Sequence, residues 1–135
     1  MSTLNVDALV GNTSANAITV RGEGTATTSL QQGLAKSWCK WEAIGTASVS
    51  DSFNHSSLTD NGTGDQTITI SSAMANLNFA FVGMAGDGKT NLCAICQPQG
   101  AFATTTTATR YQTAVANISL QDMASISASL LGDLA

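Results

Sequence analysis

Apolar and polar residues alternate along most of the chain beyond residue 35, and this two-residue period predicts β-strands. In residues 37–44 the alternation puts Trp41 on one face of a strand, together with Cys39 and Ala43. Trp38 falls on the opposite face. One tryptophan can therefore enter a core, and the other needs cover from a loop, a second sheet or another subunit.

The next two segments carry the same period. In residues 47–53, Asp51 shares a face with Val49 and Phe53, and a carboxylate among apolar residues indicates a bulge or a strand end nearby. In residues 66–71, isoleucine alternates with threonine. That pattern predicts a strand with its isoleucines buried and its threonines wet.

Further strands are predicted over residues 78–84, 91–97 and 125–131, and the stretch 101–120 is rich in threonine and alanine. In the first of these, the two phenylalanines share one face, and Ala80 and Val82 share the other. A helical period also fits the tail, but the alternation favours a strand there. Helix signals are limited to a short turn within residues 29–36. The pattern predicts an all-β fold, an antiparallel β-sandwich-like domain.

Glycine marks two of the predicted turns. The pair Asn61-Gly62 is a strong signal for a hairpin turn between two strands. Gly86, Asp87 and Gly88 are interpreted as the tip of another β-hairpin.

Residues 1–34 differ from the rest because their short apolar pairs are separated by turn residues. Strands this brief bury little surface by themselves. We therefore predict an N-terminal arm over 1–34, used for attachment or oligomerisation, and a β-sandwich-like domain over 35–135. The alternative is that 1–34 forms an ordinary first hairpin of one domain.

Charge narrows the function classes. The formal net charge is −4 and only 10% of the residues are charged, against about 25% in typical domains. Nucleic-acid binding and attraction to membranes both need basic clusters, which the chain lacks. No apolar run is long enough for a transmembrane helix, and the first residues do not resemble a signal peptide. Low charge suits sheet surfaces that pack against other chains.

Two motifs suggest cofactor chemistry. Residues 83–90 match the phosphate-binding pattern G-x-x-x-x-G-K-T, but the following residues lack the pattern of a nucleotide-binding helix, and Pro98 limits them. Cys93 and Cys96 have the spacing of a zinc or redox pair. Zinc would need two more ligands, and only Cys39 and His55 remain. We interpret the pair as small residues of a strand and expect no cofactor.

Catalytic groups are few. The single histidine, His55, is interpreted as a surface or subunit-contact residue. Paired carboxylates for glycoside cleavage could come from Glu42, Asp51, Asp60 or Asp65, but the last two flank a turn, where aspartate bonds nearby amides. The loop 60–65 offers oxygen ligands for calcium, although the turn interpretation is favoured. We therefore expect no catalytic, cofactor-binding or metal site, and no enzyme activity.

One longer pattern runs through residues 35–74. It comprises Ala35-Lys36-Ser37-Trp38, Asp51-Ser52-Phe53-Asn54, Ser56-Ser57, Thr59 through Asp65, Thr67 and Ala73-Met74. This spacing resembles a β-structured domain that recurs in tail fibres and other appendage proteins of tailed bacteriophages. In that family the position of His55 is commonly apolar, so this residue departs from the pattern.

The resemblance implies a virion structural protein, a short tail fibre or tail-associated appendage, that is homotrimeric and assembles in the host cytoplasm. Its partners would be sister chains, other proteins of the tail, collar or capsid, and a host-surface glycan or protein. The alternative is a head decoration protein that stabilises the capsid, because 135 residues are few for a fibre. A lesser alternative is an appendage enzyme that degrades polysaccharide.

Overall fold

The computed structural model describes residues 4–13, 17–21, 24–86, 93–96, 104–115 and 119–135. The chain divides into two compact units, Met1–Leu34 and Ala35–Ala135.

The first unit has little regular structure. Strands β1 (Thr19–Arg21) and β2 (Thr27–Ser29) pair antiparallel, and the short helix α1 (Leu30–Gly33) follows. Ser29 caps this helix, because its Oγ accepts a hydrogen bond from the Gln32 amide at 3.4 Å. The short turn predicted here is confirmed. None of the described residues of this unit is buried, so this part of the chain shows no core of its own.

The described part of the second unit forms two four-stranded antiparallel sheets, and the predicted all-β character is confirmed. The first sheet has the order β4-β3-β10-β7, and the second has the order β5-β6-β9-β8. The strands are β3 (Ala35–Glu42), β4 (Ser48–Phe53), β5 (Ser57–Gly62), β6 (Asp65–Thr69), β7 (Ala80–Gly86), β8 (Cys93–Cys96), β9 (Ala108–Val115) and β10 (Ser125–Leu131).

Aromatic contacts join the two sheets into a sandwich. Tyr111 of β9 packs against Trp41 of β3 and Phe81 of β7, with ring centroids 5.6 Å and 5.0 Å apart. Around this contact the core collects the inward-facing residues of both sheets, namely Cys39, Trp41, Ala43, Ile68, Ile70, Met74, Tyr111, Met123, Ile126, Ala128 and Leu130.

The faces predicted for β3 are confirmed. Trp41 is only 1% exposed, while Trp38 on the opposite face is half-buried. Trp41 is therefore covered within a single chain, and the need for cover falls on Trp38. In β6 the isoleucine is buried as expected, and the threonines are partly exposed.

The bulge expected near Asp51 is also present. Lys40 pairs with Asp51 and Trp41 pairs with Val49, so Ser50 has no partner in the ladder. One extra residue reverses the alternation. Val49 consequently packs on the core, whereas Phe53 lies on the outer face and is 52% exposed.

The end of the chain forms a central strand rather than a helix. β10 lies between β3 and β7, and it pairs antiparallel with both. Ile126, Ala128 and Leu130 project from it into the core. Strand β10 therefore joins the two parts of the first sheet, β4-β3 on one side and β7 on the other.

The turn predicted within residues 60–65 is confirmed, but its central residues differ from the expected pair. Gly62 pairs with Asp65, so the β5–β6 turn is Thr63-Gly64 rather than Asn61-Gly62, and a bulge lies between Asp60 and Gly62. The hairpin tip interpreted at residues 86–88 lies mostly outside the described residues. β7 ends at Gly86 and β8 begins at Cys93, but the two strands belong to different sheets. Residues 87–92 lie outside the described residues.

The central position of β10 predicts the cost of shortening its side chains. Replacing Leu130 with alanine leaves a cavity between the sheets and should lower the free energy of unfolding by about 2–5 kcal/mol. Ile44→Ala, at a residue that is 55% exposed, should change it by less than about 0.5 kcal/mol. Urea denaturation measures both. Equal costs for the two variants would contradict the placement of β10 in the core.

Candidate functional site

The polar residues of the 35–74 pattern gather at two places. One is the crossing from the first sheet to the second, where three residues separate β4 from β5. The other is the β5–β6 hairpin. At both places the polar side chains and turn residues of the pattern form hydrogen bonds that hold the chain in position.

Asn54 forms the crossing. Its backbone has a φ of 53°, a left-handed conformation that asparagine tolerates better than most residues. Its Nδ2 donates hydrogen bonds to the carbonyl oxygens of Lys36 (2.9 Å) and Ser72 (3.0 Å). Its Oδ1 accepts one from the Ser72 amide at 2.7 Å. One side chain thus ties β3 and the segment after β6 to the corner.

His55 follows Asn54, but its imidazole ring does not tie the corner together as the Asn54 side chain does. The ring is half-buried, and its Nε2 has no hydrogen-bond partner within the described part of the chain. The His55 carbonyl oxygen accepts a hydrogen bond from the Ser71 hydroxyl at 3.0 Å. The contribution of this residue to the corner is therefore made by its backbone.

The β5–β6 turn is fixed by Gly64. Its φ of 64° suits glycine, and its amide donates to Asp122 Oδ1 at 2.7 Å. The Thr113 amide donates to the Gly64 carbonyl oxygen at 2.9 Å. A Cβ added at Gly64 would lie 2.6 Å from both the Gln121 nitrogen and the Thr113 oxygen. The turn is therefore clamped between β9 and the segment before β10.

Asp65 anchors a polar network on the outer face of the second sheet. Arg110 donates to both of its oxygens at 2.6 Å, from Nε to Oδ1 and from a terminal nitrogen to Oδ2. Gln112 Nε2 donates to Oδ2 at 3.0 Å, and Asn61 Nδ2 donates to Oδ1 at 3.2 Å. The Arg110 hydrogen bonds, aided by those of Gln112 and Asn61, hold the pKa of this carboxyl below its ordinary value.

The other carboxylates considered from the sequence have local partners. Asp60 accepts a hydrogen bond from the Gly62 amide, Asp51 from the Ser52 amide, and Glu42 from the Ser48 hydroxyl. Asp65 already holds a guanidinium, whose positive charge opposes calcium at loop 60–65. Within the described residues, no group of three or more histidine, cysteine or acidic residues could hold a metal ion.

The two cofactor motifs fall partly outside the described residues. Of the phosphate-loop match, Gly83 to Gly86 lie in β7, and the remainder is not described. The Cys93–Cys96 segment forms strand β8, as interpreted, and not the helix of a redox site. Cys39 is a free, buried cysteine, and burial raises the pKa of its thiol to about 11. Such a thiol is a poor nucleophile or metal ligand.

Gln66 was not singled out from the sequence. It occupies a fully buried position on β6, and neither atom of its amide group has a hydrogen-bond partner within the described part of the chain. Gln66 lies two residues before Ile68 in the same strand, so the alternation of the sequence already predicted that its side chain points into the core. Because the residue is enclosed by the sandwich, it cannot meet a ligand arriving from solvent.

A surface with binding potential lies on the outer face of the first sheet. One row across this sheet holds Phe53, Trp38, Ser129 and Val82, and the next holds Asp51, Lys40, Ser127 and Met84. We call the four residues Trp38, Phe53, Val82 and Met84 the apolar face. Val82 is 58% exposed and Met84 is 70% exposed. The alternation in the sequence places Val82 on the face opposite the two phenylalanines. Which residues of the neighbouring strands lie beside Val82 could be known only from the order of strands in the sheet.

Comparison of the chain with models of protein families, with curated proteins and with solved structures finds no match. The one helix described, α1, has four residues, and no described helix could cross a lipid bilayer. The functional argument therefore rests on the surfaces and contacts of this chain.

The corner at Asn54 predicts a graded loss of stability. Asn54→Gly keeps access to the left-handed conformation but removes three side-chain hydrogen bonds, and we expect about 1–3 kcal/mol lower unfolding free energy. Asn54→Ala also introduces backbone strain and should lose about 1 kcal/mol more. Chemical denaturation of both variants measures this order. If the alanine variant matched the wild type, the corner would not be held by this side chain.

The network at Asp65 predicts a pH dependence. Because the folded pKa is lower than the unfolded one, the contribution of this carboxylate is full above its ordinary value of about 3.9 and fades as the pH falls through the folded pKa. The stability gap between wild type and Asp65→Asn should therefore narrow as the pH falls from about 5 to about 2. Thermal denaturation across this range tests it, with Asp51→Asn as the control. A gap that stays constant would exclude the ionic role.

Proposed function

We propose that this chain is a structural protein of a bacteriophage virion, a short tail fibre or tail-associated appendage that assembles as a homo-oligomer. The observation that carries the proposal is the pairing of a well-packed β-sandwich with an exposed apolar sheet face and a first unit in which no described residue is buried. Exposed apolar patches of this kind mark interaction surfaces. A chain with these features is suited to assembly.

The 35–74 pattern supports the same proposal through its physical roles. Asn54 ties the crossing between the sheets, Gly64 fits a clamped turn, and Asp65 centres a network that is already saturated with donors. These residues build a scaffold and leave no reactive group at its surface. A pattern shared among appendage proteins for this reason would carry the fold from one virion part to another.

The homotrimer and the receptor-binding role belong to this proposal. Three copies held together would present their outer loops side by side, and linked copies raise the effective concentration at a host surface. A host-surface glycan or protein is the ligand class we assign to those loops.

A head decoration protein is the second candidate. It is favoured by the apolar face, which suits a sheet laid flat on a capsid. Such a protein would stabilise the shell rather than find a host.

The position of the protein on the virion distinguishes the two candidates. We expect antibody labelling and electron cryomicroscopy of purified particles to show this protein at the tail or collar, in a small copy number. Density repeated over the capsid lattice would replace the appendage proposal with the decoration candidate. Absence from purified particles, with the protein confirmed in the infected cell, would contradict both.

A further inference from the structure

The pair Asn61-Gly62 does not form the turn that its sequence predicts. The β5–β6 turn is Thr63-Gly64, and Asn61 lies in the bulge between Asp60 and Gly62, where it has no partner in the ladder. Both members of the pair are exposed. Asn61 is also the only asparagine of the chain that is followed by glycine. The pair is therefore placed where its own covalent chemistry can proceed in contact with water.

A glycine after an asparagine leaves the asparagine open to attack by the backbone. The nitrogen of the following residue can reach the side-chain carbon Cγ, and glycine has no Cβ to hinder that approach. Gly62 has a φ of 129°, and a Cβ added to it would meet no atom within 4 Å. The bulge adds to this freedom, because the extra residue of a bulge is left out of the regular ladder.

The reaction that these features permit is deamidation. The Gly62 nitrogen forms a bond to Asn61 Cγ and gives up its proton, while the bond from Cγ to Nδ2 breaks and Nδ2 takes up a proton and leaves as ammonia. The product is a five-membered succinimide ring. Water then opens the ring at either carbonyl, which gives aspartate or isoaspartate. Nothing is oxidised or reduced, and one water molecule is the only other reactant.

The structure also restrains this reaction. Asn61 Nδ2 donates a hydrogen bond to Thr67 Oγ1 at 2.8 Å and another to Asp65 Oδ1 at 3.2 Å, and both acceptors belong to β6. The amide is thus held across the hairpin, on the neighbouring strand. It must leave these two acceptors before Cγ can turn toward the Gly62 nitrogen. The fraction of time that the amide spends released then limits the rate.

We propose that Asn61 is a modification site of this chain, where deamidation occurs through a succinimide with Gly62, and that the hydrogen bonds to Asp65 and Thr67 set its rate. No enzyme is needed. The network around Asp65 thereby gains a second role, because it protects the one asparagine that sequence and exposure make reactive.

Conversion of Asn61 would in turn weaken this network. Aspartate and isoaspartate are carboxylates at neutral pH and have no N–H to donate, so Asp65 would lose one of its hydrogen bonds. The new negative charge would lie beside Asp65 Oδ1, which Asn61 Nδ2 contacts at 3.2 Å. Two like charges this close repel each other. The modified hairpin is therefore less stable than the unmodified one.

The first experiment follows the full-length folded protein during incubation in mildly alkaline buffer. Peptide mapping by mass spectrometry should show conversion of Asn61 to aspartate and isoaspartate. Asn76 is the internal control, because it is also exposed but is followed by leucine, and it should stay unchanged. The same chain unfolded in guanidinium chloride should convert faster at Asn61, since the hydrogen bonds to Asp65 and Thr67 are then absent.

The second experiment removes one restraint. Thr67→Val deletes the nearer acceptor with little change in shape, and it should raise the rate at Asn61 about fivefold, the population shift expected from one lost hydrogen bond. Thr69→Val is the matched control, because Thr69 lies two residues further along the same face of β6 and is not an acceptor for the Asn61 amide. Its rate should equal that of wild type. Valine suits a strand, and circular dichroism checks the fold of both variants.

Three results would overturn the proposal. An Asn61 that stays intact in the folded protein would show that it is not a modification site of the native chain. Equal rates in folded and unfolded protein, or in wild type and Thr67→Val, would show that the hydrogen bonds do not set the rate. Equal acceleration in Thr67→Val and Thr69→Val would point to a general loosening of the sheet. None of these results depends on whether the protein belongs to a virion.

Discussion

The crossing at Asn54 is the constraint from which the rest of the sandwich follows. In three residues the chain must leave the edge of the first sheet and enter the edge of the second. The left-handed backbone at Asn54 turns the chain from one sheet to the other. The Asn54 side chain forms hydrogen bonds with backbone groups of Lys36 and Ser72, which would otherwise need water as a partner. With the two edges joined this tightly, the inner faces of both sheets must oppose each other, and Tyr111 meets Trp41 and Phe81 between them.

The two outer faces then diverge in chemistry. The outer face of the second sheet carries the Asp65 network, in which Arg110, Gln112 and Asn61 supply the donors. Those groups satisfy one another and leave little for a partner. The outer face of the first sheet carries the aromatic and aliphatic side chains of the apolar face. Among the residues that the structure describes, the two outer faces therefore differ in chemistry, and this difference supports the proposal that the first sheet is the one used for assembly.

Alternation was sufficient to predict the strands, because the side-chain period of a strand is visible in any half-buried sheet. It assigned the faces of β3 correctly, and Asp51 among apolar residues predicted the bulge at Ser50. It could not predict sheet order, since pairing between β10 and β3 depends on contacts about ninety residues apart.

The Asn61-Gly62 signal misplaced a turn because Asn61 instead donates to Thr67 and Asp65. The glycine-rich stretch after β7 signals a reversal of the chain without indicating which sheet receives the next strand, and β8 lies in the second sheet. The partners of Asp65 were likewise invisible, because Arg110 reaches it only through the pairing of β6 with β9.

The central claim is that the polar residues of the 35–74 pattern, at the Asn54 crossing and the β5–β6 turn, form a rigid scaffold and do not take part in recognition. Amide hydrogen exchange tests this most directly at Gly64 and Ser72, whose amides donate to Asp122 and Asn54 at 2.7 Å. The account predicts that both amides exchange only when the domain opens as a whole, at rates close to that of Ala128 in the central strand. Exchange at Gly64 and Ser72 near the rates of an unstructured peptide, with Ala128 still protected, would show that these turns move freely, and it would contradict the claim.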